Sequence, residues 1–296
     1  MFSFLPRFIC FPITFTLFCL NLAFCGFMVF LGGFIKFLVP LKSFHKLLYK
    51  PMHFFYRLWS LNNYLIISLF NKVEWKIIND SSLNKQSWYL LIANHQSWLD
   101  IFVIAHFART RIPEPKFFLK ESLRYIPFLG MACWALDMPF MKRYKKSFIA
   151  KNPHLKGKDI ETTKASCRRF EKTPTTIVNF VEGTRFTKEK HDRQGDKFNH
   201  LLIPKAGGIA FTLAAMGEQF DKVLNITLAY PDNPGHIMMD MLCGDLKRIV
   251  IYVEPLTVDE NVMGDYYNDK SYRVQFQQWL NDTWTNKDKL LTKYLT

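Results

Sequence analysis

From residue 8 to residue 35 the chain carries no charged side chain, 28 positions bounded by Arg7 and Lys36. As one helix this run would reach about 42 Å, against about 30 Å for the hydrocarbon core of a bilayer. It predicts a transmembrane helix, starting after Pro12 and loosened near Gly32-Gly33. The rival is a cleaved signal peptide, but its n-region would hold only Arg7 and there is no small-x-small cleavage site. Leu22-Ala23-Phe24-Cys25 is a poor lipoprotein signal, because bulky Phe24 stands where a small residue belongs. Lys36, Lys42, Lys46, Lys50 and Arg57 follow the run and a single arginine precedes it. That asymmetry places the remainder of the chain in the cytoplasm, and the expected location is a bacterial inner membrane. Residues 51–71 form a second apolar stretch, interrupted by Arg57 and Asn62-Asn63. It is a second span, a re-entrant or interfacial helix, or a helix of the core, and His53 and Arg57 favour the interface. Residues 1–72 are read as a membrane anchor and 73–296 as the catalytic domain.

Charge and cysteine usage narrow the class. Lys and Arg total 39 against 25 Asp and Glu, a net charge of +14. Such a chain suits an anionic surface, nucleic acid or acidic lipid. The membrane segment favours lipid, and with no zinc-finger or RNA-recognition signature a nucleic-acid partner is not expected. Of six cysteines, three fall in the first apolar segment and none forms a C-x-x-C pair. That excludes a disulfide framework and a zinc site, and fits a reducing compartment. His191, Asp192 and His200 match no metal-ligand spacing.

From Val73 onward short apolar runs alternate with helical patterns. Strands are expected at 73–78, 88–93, 116–119, 176–181, 223–230 and 249–255, and helices at 159–172 and 207–216. Tyr272, Phe276, Trp279 and Leu280 lie at helical spacing and predict a docking helix at the C-terminal end. The fold class is α/β: a mixed, largely parallel sheet covered by helices, preceded by the N-terminal helical anchor.

Two of these strands run into polar clusters, and open α/β proteins place chemistry beyond the carboxyl ends of strands. The strand at 88–93 continues into Asn94-His95-Gln96-Ser97-Trp98-Leu99-Asp100. On a continuous helix His95 and Asp100 would sit about 140° apart. They meet if His95 lies in the loop and Asp100 in the first turn, with Ser97 as N-cap and Asp100 at N3. The plain alternative is a capping box that merely starts a helix, and Asp100 can fill both roles. A histidine held by a carboxylate suits a general base acting on a hydroxyl. The strand at 176–181 ends in Glu182-Gly183-Thr184-Arg185. The arginine fork matches a pair of phosphate oxygens, and the glycine permits close backbone approach. Taken alone, that tetrapeptide reads equally as a strand-ending turn with a surface ion pair.

Together, in this order and about 85 residues apart, Asn-His-x4-Asp and Glu-Gly-Thr-Arg resemble the glycerolipid acyltransferase family. Within it the likeness is to the 1-acyl-glycerol-3-phosphate (lysophosphatidic acid) acyltransferases. Pro139-Phe140-Met141-Lys142-Arg143 is similar to the family's intermediate block. Phe186-Thr187-Lys188 and the stretch from Leu201 to Gly208 are similar to the continuation of its third block. Ile226-Thr227-Leu228-Ala229-Tyr230-Pro231 departs from the Val-Pro block that usually follows. The resemblance covers 73–255 and implies the following roles. His95 takes the proton of the sn-2 hydroxyl of the lysolipid, and Asp100 orients His95. The alkoxide attacks the thioester of acyl-CoA or acyl-carrier protein. Glu182, Gly183, Thr184 and Arg185 hold the acceptor's phosphate, with Asn94, Arg143 and Lys205 as further substrate contacts. No cofactor or metal is implied, and the partners are membrane lipids and the acyl donor. The basic run at 142–158 would face lipid phosphates or an acidic carrier, unless it is simply a solvated loop. Rival functions are acyl transfer to another lysophospholipid such as lysophosphatidylglycerol, a non-catalytic lipid-binding protein of the same fold, and a thioester hydrolase.

Overall fold

A computed structural model of the chain describes residues 2–39, 41–79, 83–141, 173–259, 262–266 and 268–295. Helix α1 (Arg7–Leu38) is 32 residues long and includes Pro12 near its start. It therefore begins before Pro12 and runs unbroken through Gly32-Gly33, correcting both expectations. Gly33 serves close approach instead: a Cβ there would fall 2.3 Å from the Cβ of Ala135. Helix α2 (Lys42–Phe70) is one continuous element with Pro51 inside it, so the second apolar stretch is the later part of a longer helix.

There follow β1 (Glu74–Ile78), β2 (Tyr89–Ala93), α3 (Leu99–Arg111), β3 (Pro115–Phe117), β4 (Leu119–Lys120), α4 (Leu129–Ala135) and β5 (Phe140–Met141). Beyond residue 172 come β6 (Thr176–Phe180), α5 (Lys188–Gln194), α6 (Ala206–Met216), β7 (Lys222–Ala229), α7 (Ile237–Cys243), β8 (Arg248–Leu256) and α8 (Lys270–Leu295). The helix expected at 159–172, the basic run and Arg143 lie outside the described residues. Of the intermediate block, Lys142 also lies outside them, while Phe140 and Met141 form β5.

The main sheet has six strands in the order β1-β8-β7-β2-β6-β3. β7, β2, β6 and β3 are parallel, β8 pairs antiparallel with β7, and β1 runs parallel to β8. The sheet is mixed and largely parallel, as the alternation implies. Strands β4 and β5 form a small parallel pair beside it.

Successive side chains of a strand point to opposite faces, and the core divides accordingly. Leu91, Leu224 and Ile251 pack on the face that carries α1, α2 and α3. Leu90, Ile92 and Val223 pack on the other face, with Ile209 of α6 and Phe276, Leu280 and Trp284 of α8. The central strand β2 is buried at every position, which is why it reads as a continuous apolar run. Helix α8 is the docking helix expected from its spacing.

The two N-terminal helices share the sheet's own core: Phe18, Val29, Tyr56 and Ile67 belong to the same cluster as Leu91 and Leu224. Helix α1 is tied down at both ends. Arg7 pairs with Asp245 at 2.9 Å and Thr14 Oγ1 donates to Leu242 O, while Lys36 meets Asp137 at 3.0 Å. In between, Asn21 Nδ2 donates to Asn63 Oδ1 of α2 at 2.8 Å. The outer face of α1 leaves Phe8, Phe15, Leu20, Phe24 and Phe37 exposed. Among the described residues it is the one helix long and apolar enough to cross a membrane.

Candidate active site

Strand β2 lies between β6 and β7 and runs parallel to both, with Ala93 opposite Phe180 and Ile226. Three carboxyl ends therefore emerge side by side, and the residues after each of them form one site. This register is what joins two motifs distant in sequence. The backbone confirms the join: Phe186 N donates to His95 O at 2.7 Å.

His95 lies in the loop and Asp100 in the first turn of α3. His95 Nδ1 lies 2.7 Å from Asp100 Oδ2. The same oxygen accepts Gln96 N at 2.7 Å and Ser97 N at 2.9 Å, while Ser97 Oγ accepts Leu99 N at 3.3 Å. The helix begins at Leu99 with Trp98 at the N-cap, which corrects the expected Ser97 cap and sets Asp100 one position nearer the start; its carboxylate gathers the backbone N–H groups of Gln96 and Ser97 ahead of the helix and holds the histidine at once. Its other oxygen, Oδ1, accepts the hydroxyl of Tyr230 at 2.6 Å. Asp100 is fully buried, so these donors are what make a carboxylate tolerable there. The imidazole lies flat on Phe180, with centroids 4.0 Å apart and planes 16° from parallel.

Arg185 is exposed, and its guanidinium carbon lies 4.8 Å from the centre of the Trp98 ring, a stacked cation–π arrangement. Lys190 Nζ donates to Thr184 Oγ1 at 2.9 Å and to Arg185 O at 2.8 Å, clamping the turn between them. Gly183 has φ 71°, a left-handed conformation that suits glycine. Lys205 caps α6 at the surface, its N–H bonded to Val181 O at 2.9 Å.

Two residues expected at the substrate are interior instead. Asn94 is fully buried, and both ends of its amide are occupied by the Leu228 backbone at 2.9 Å each. It pins the end of β2 to β7 from the interior. Glu182 is 1% exposed and neither carboxylate oxygen makes a hydrogen bond of normal geometry. Burial, chiefly, and the charge of Asp100 push its pKa up to about 8, against the opposing pull of Lys287 and the backbone N–H groups of Leu202 and His95. Glu182 is thus an interior residue, while Arg185 in the same turn is exposed.

Sequence reasoning missed Tyr230, Phe180 and Lys190. Tyr230 was within reach: it follows β7 as His95 follows β2, yet it drew notice only as a departure from a family block. Burial and Asp100 raise the Tyr230 pKa well above the usual phenol value, which keeps it a donor. Tyr230→Phe leaves Asp100 Oδ1 without that donor, at a cost of about 1–3 kcal/mol. We expect a lower melting temperature and a turnover reduced about tenfold at saturating substrate. Unchanged turnover in single-turnover kinetics would remove Tyr230 from the site.

A carboxylate-held histidine and an arginine turn at neighbouring strand ends place a general base beside an anion-binding group. A sequence model of the acyltransferase family matches residues 74–222, half of the chain, and the protein belongs to that family. It is 26% identical over 221 residues to 1-acyl-sn-glycerol-3-phosphate acyltransferase 3 of Arabidopsis thaliana, covering 70% of this chain and 54% of that one. Lysocardiolipin acyltransferase 1 of Danio rerio is 24% identical over 218 residues, covering 69% and 52%. The chain thus spans about half the length of these relatives. The fold is that of the 1-acyl-sn-glycerophosphate acyltransferase PlsC of Thermotoga maritima, with a TM-score of 0.59 at 14% identity over 96% of both chains.

Proposed function

We propose that the protein is a membrane-bound O-acyltransferase that moves a fatty acyl group from acyl-CoA or acyl-carrier protein to the sn-2 hydroxyl of 1-acyl-glycerol-3-phosphate, giving phosphatidic acid. The observation that carries this reading is His95 Nδ1 on Asp100 Oδ2 at 2.7 Å. With the carboxylate accepting at Nδ1, the ring proton sits there and Nε2 keeps its lone pair. Nε2 removes the hydroxyl proton as the lysolipid oxygen attacks the thioester carbonyl carbon. The tetrahedral intermediate collapses, the C–S bond breaks, and the departing thiolate takes the proton back from Nε2. An ester and a free thiol result, and the imidazole returns to its starting state.

The surroundings support both ends of the substrate. Arg185, Thr184 and Lys190 offer a guanidinium, a hydroxyl and an ammonium to the phosphate. An apolar cavity reaches from Trp98 and Ile101 past Phe117 and Leu136 to Val29 and Tyr56, and suits a fatty chain. Because α1 rests on the catalytic domain at both ends, we read the helix pair as seated in one leaflet with its phenylalanine face in lipid. The Lys and Arg around the start of α2 support a leaflet rich in anionic lipid, which for a basic segment is the cytoplasmic one.

The test is transfer by the purified protein in mixed micelles, comparing lysophosphatidic acid, lysophosphatidylglycerol and no acceptor. Transfer to lysophosphatidic acid is expected. Transfer only to lysophosphatidylglycerol moves the acceptor, free acid without acceptor makes the protein a hydrolase, and no turnover overturns the reading. Arg185→Ala is expected to raise the acceptor KM roughly 10- to 100-fold with kcat largely retained, the loss of one charge-assisted contact. An unchanged KM would detach Arg185 from the phosphate.

A further inference from the structure

Trp98 stands between His95 and Asp100 in the chain, in the loop that carries the base. It is the N-cap residue of α3, with helical φ −59° and ψ −25°. Its neighbours Ser97 and Leu99 are buried, while Trp98 itself keeps 38% exposure. The backbone on either side is pinned. Ser97 N donates to Asp100 Oδ2 at 2.9 Å, and Ile101 N donates to Trp98 O at 3.3 Å. The carboxylate that holds His95 therefore also fixes where the indole ring stands.

That ring borders two regions at once. It lines the apolar cavity together with Ile101, Phe117 and Leu136. It also carries the Arg185 guanidinium, 4.8 Å from the ring centre. Arg185 needs such a support, because it is exposed and a long exposed side chain samples many rotamers unless a contact selects one. Its backbone is already fastened, by Phe186 N on His95 O at 2.7 Å and by Lys190 Nζ on Arg185 O at 2.8 Å. What is left to set is the side chain, and an indole face is the best aromatic partner for a guanidinium. A guanidinium held by its face presents its N–H donors at its edge, where two oxygens of one phosphate can take them.

We propose that Trp98 is a positioning residue for the acceptor: its ring holds the Arg185 guanidinium in the orientation that receives the phosphate, at a set distance from His95 and beside the apolar cavity. One loop thereby places the base and, through a ring, the anion-binding group. The proposal rests on the phosphate role given to Arg185 above; the kinetic arm of its test depends on that role and the chemical arm does not.

The experiment compares wild type, Trp98→Phe, Trp98→Leu, Arg185→Ala and the double variant Trp98→Leu/Arg185→Ala in the full chain. Acyl transfer to lysophosphatidic acid in mixed micelles is measured beside the rate at which phenylglyoxal modifies Arg185, read by mass spectrometry of its peptide. Trp98→Leu is expected to raise the acceptor KM about fivefold with kcat within about twofold, the loss of one cation–π contact. It is also expected to speed Arg185 labelling about threefold. Trp98→Phe keeps an aromatic face and should stay within about twofold of wild type in both readouts. The double variant should be no worse than Arg185→Ala, because the ring acts through the arginine. A merely structural tryptophan would lower kcat instead, would treat Phe and Leu alike, and would multiply with Arg185→Ala; any of these results overturns the proposal. So do wild-type KM and labelling in Trp98→Leu. If Trp98→Leu cannot be purified folded, Trp98→Met is read against the same expectations. If the wild type transfers no acyl group, the functional reading fails, while the labelling rates still decide whether the ring holds Arg185.

Discussion

His95→Ala is expected to lower acyl transfer about 10²- to 10⁴-fold, the range supplied by a positioned general base. The protein should still fold and still float with vesicles. Histidine is not a core-filling residue here: its side chain keeps 13% exposure and its main packing contact is the Phe180 face. Losing that ring pair costs about 0.5–1.5 kcal/mol, too little to unfold a domain with cores on both faces of a six-stranded sheet. The measurement pairs single-turnover transfer with circular dichroism and vesicle flotation. Turnover equal to wild type would mean that another group takes the proton, and loss of fold would make His95 structural.

Asp100→Asn is expected to fail differently, losing both turnover and stability. The carboxylate accepts His95 Nδ1, Gln96 N, Ser97 N and the Tyr230 hydroxyl. An amide has one oxygen for this set and must turn its NH₂ toward one side of it. Turned toward His95, it forces the wrong ring tautomer; turned toward Tyr230, it leaves the imidazolium without its countercharge. The analogous change in a Ser-His-Asp triad costs about 10⁴ in kcat, and a loss of about 10²- to 10⁴-fold is expected here. Replacing charge-assisted bonds to two backbone N–H groups costs about 1–3 kcal/mol in addition. A shifted denaturation midpoint beside reduced turnover is the expected pair of results. Reduced turnover with an unshifted midpoint would mean that the backbone bonds contribute nothing, and full turnover would sever Asp100 from the base.

These two variants separate what was legible in the chain from what was not. The strands, the apolar helix and the two polar clusters are local signals, and each was readable over a window of a few residues. Strand β2 shows itself as five apolar residues, all buried. The His95–Asp100 pairing also follows from local geometry, since loop and first turn lie within one short segment. Asn94 and Glu182 were misjudged for the opposite reason. A polar residue beside a motif looks the same in sequence whether it faces a ligand or the core. Leu228, which takes the Asn94 amide, lies in another strand.

The sequence by itself determined the α/β class, a long apolar N-terminal helix, the His95–Asp100 pair and the arginine turn, because periodicity and short-range chemistry are written in neighbouring residues. The tertiary structure decided that Tyr230 reaches Asp100, that Phe180 carries the imidazole, and that Glu182 is buried. It also decided that α1 is fastened to the catalytic domain at both ends. Each of these depends on the register of parallel strands and on which face a side chain takes. That choice is set by packing between segments far apart in the chain, and no local pattern encodes it.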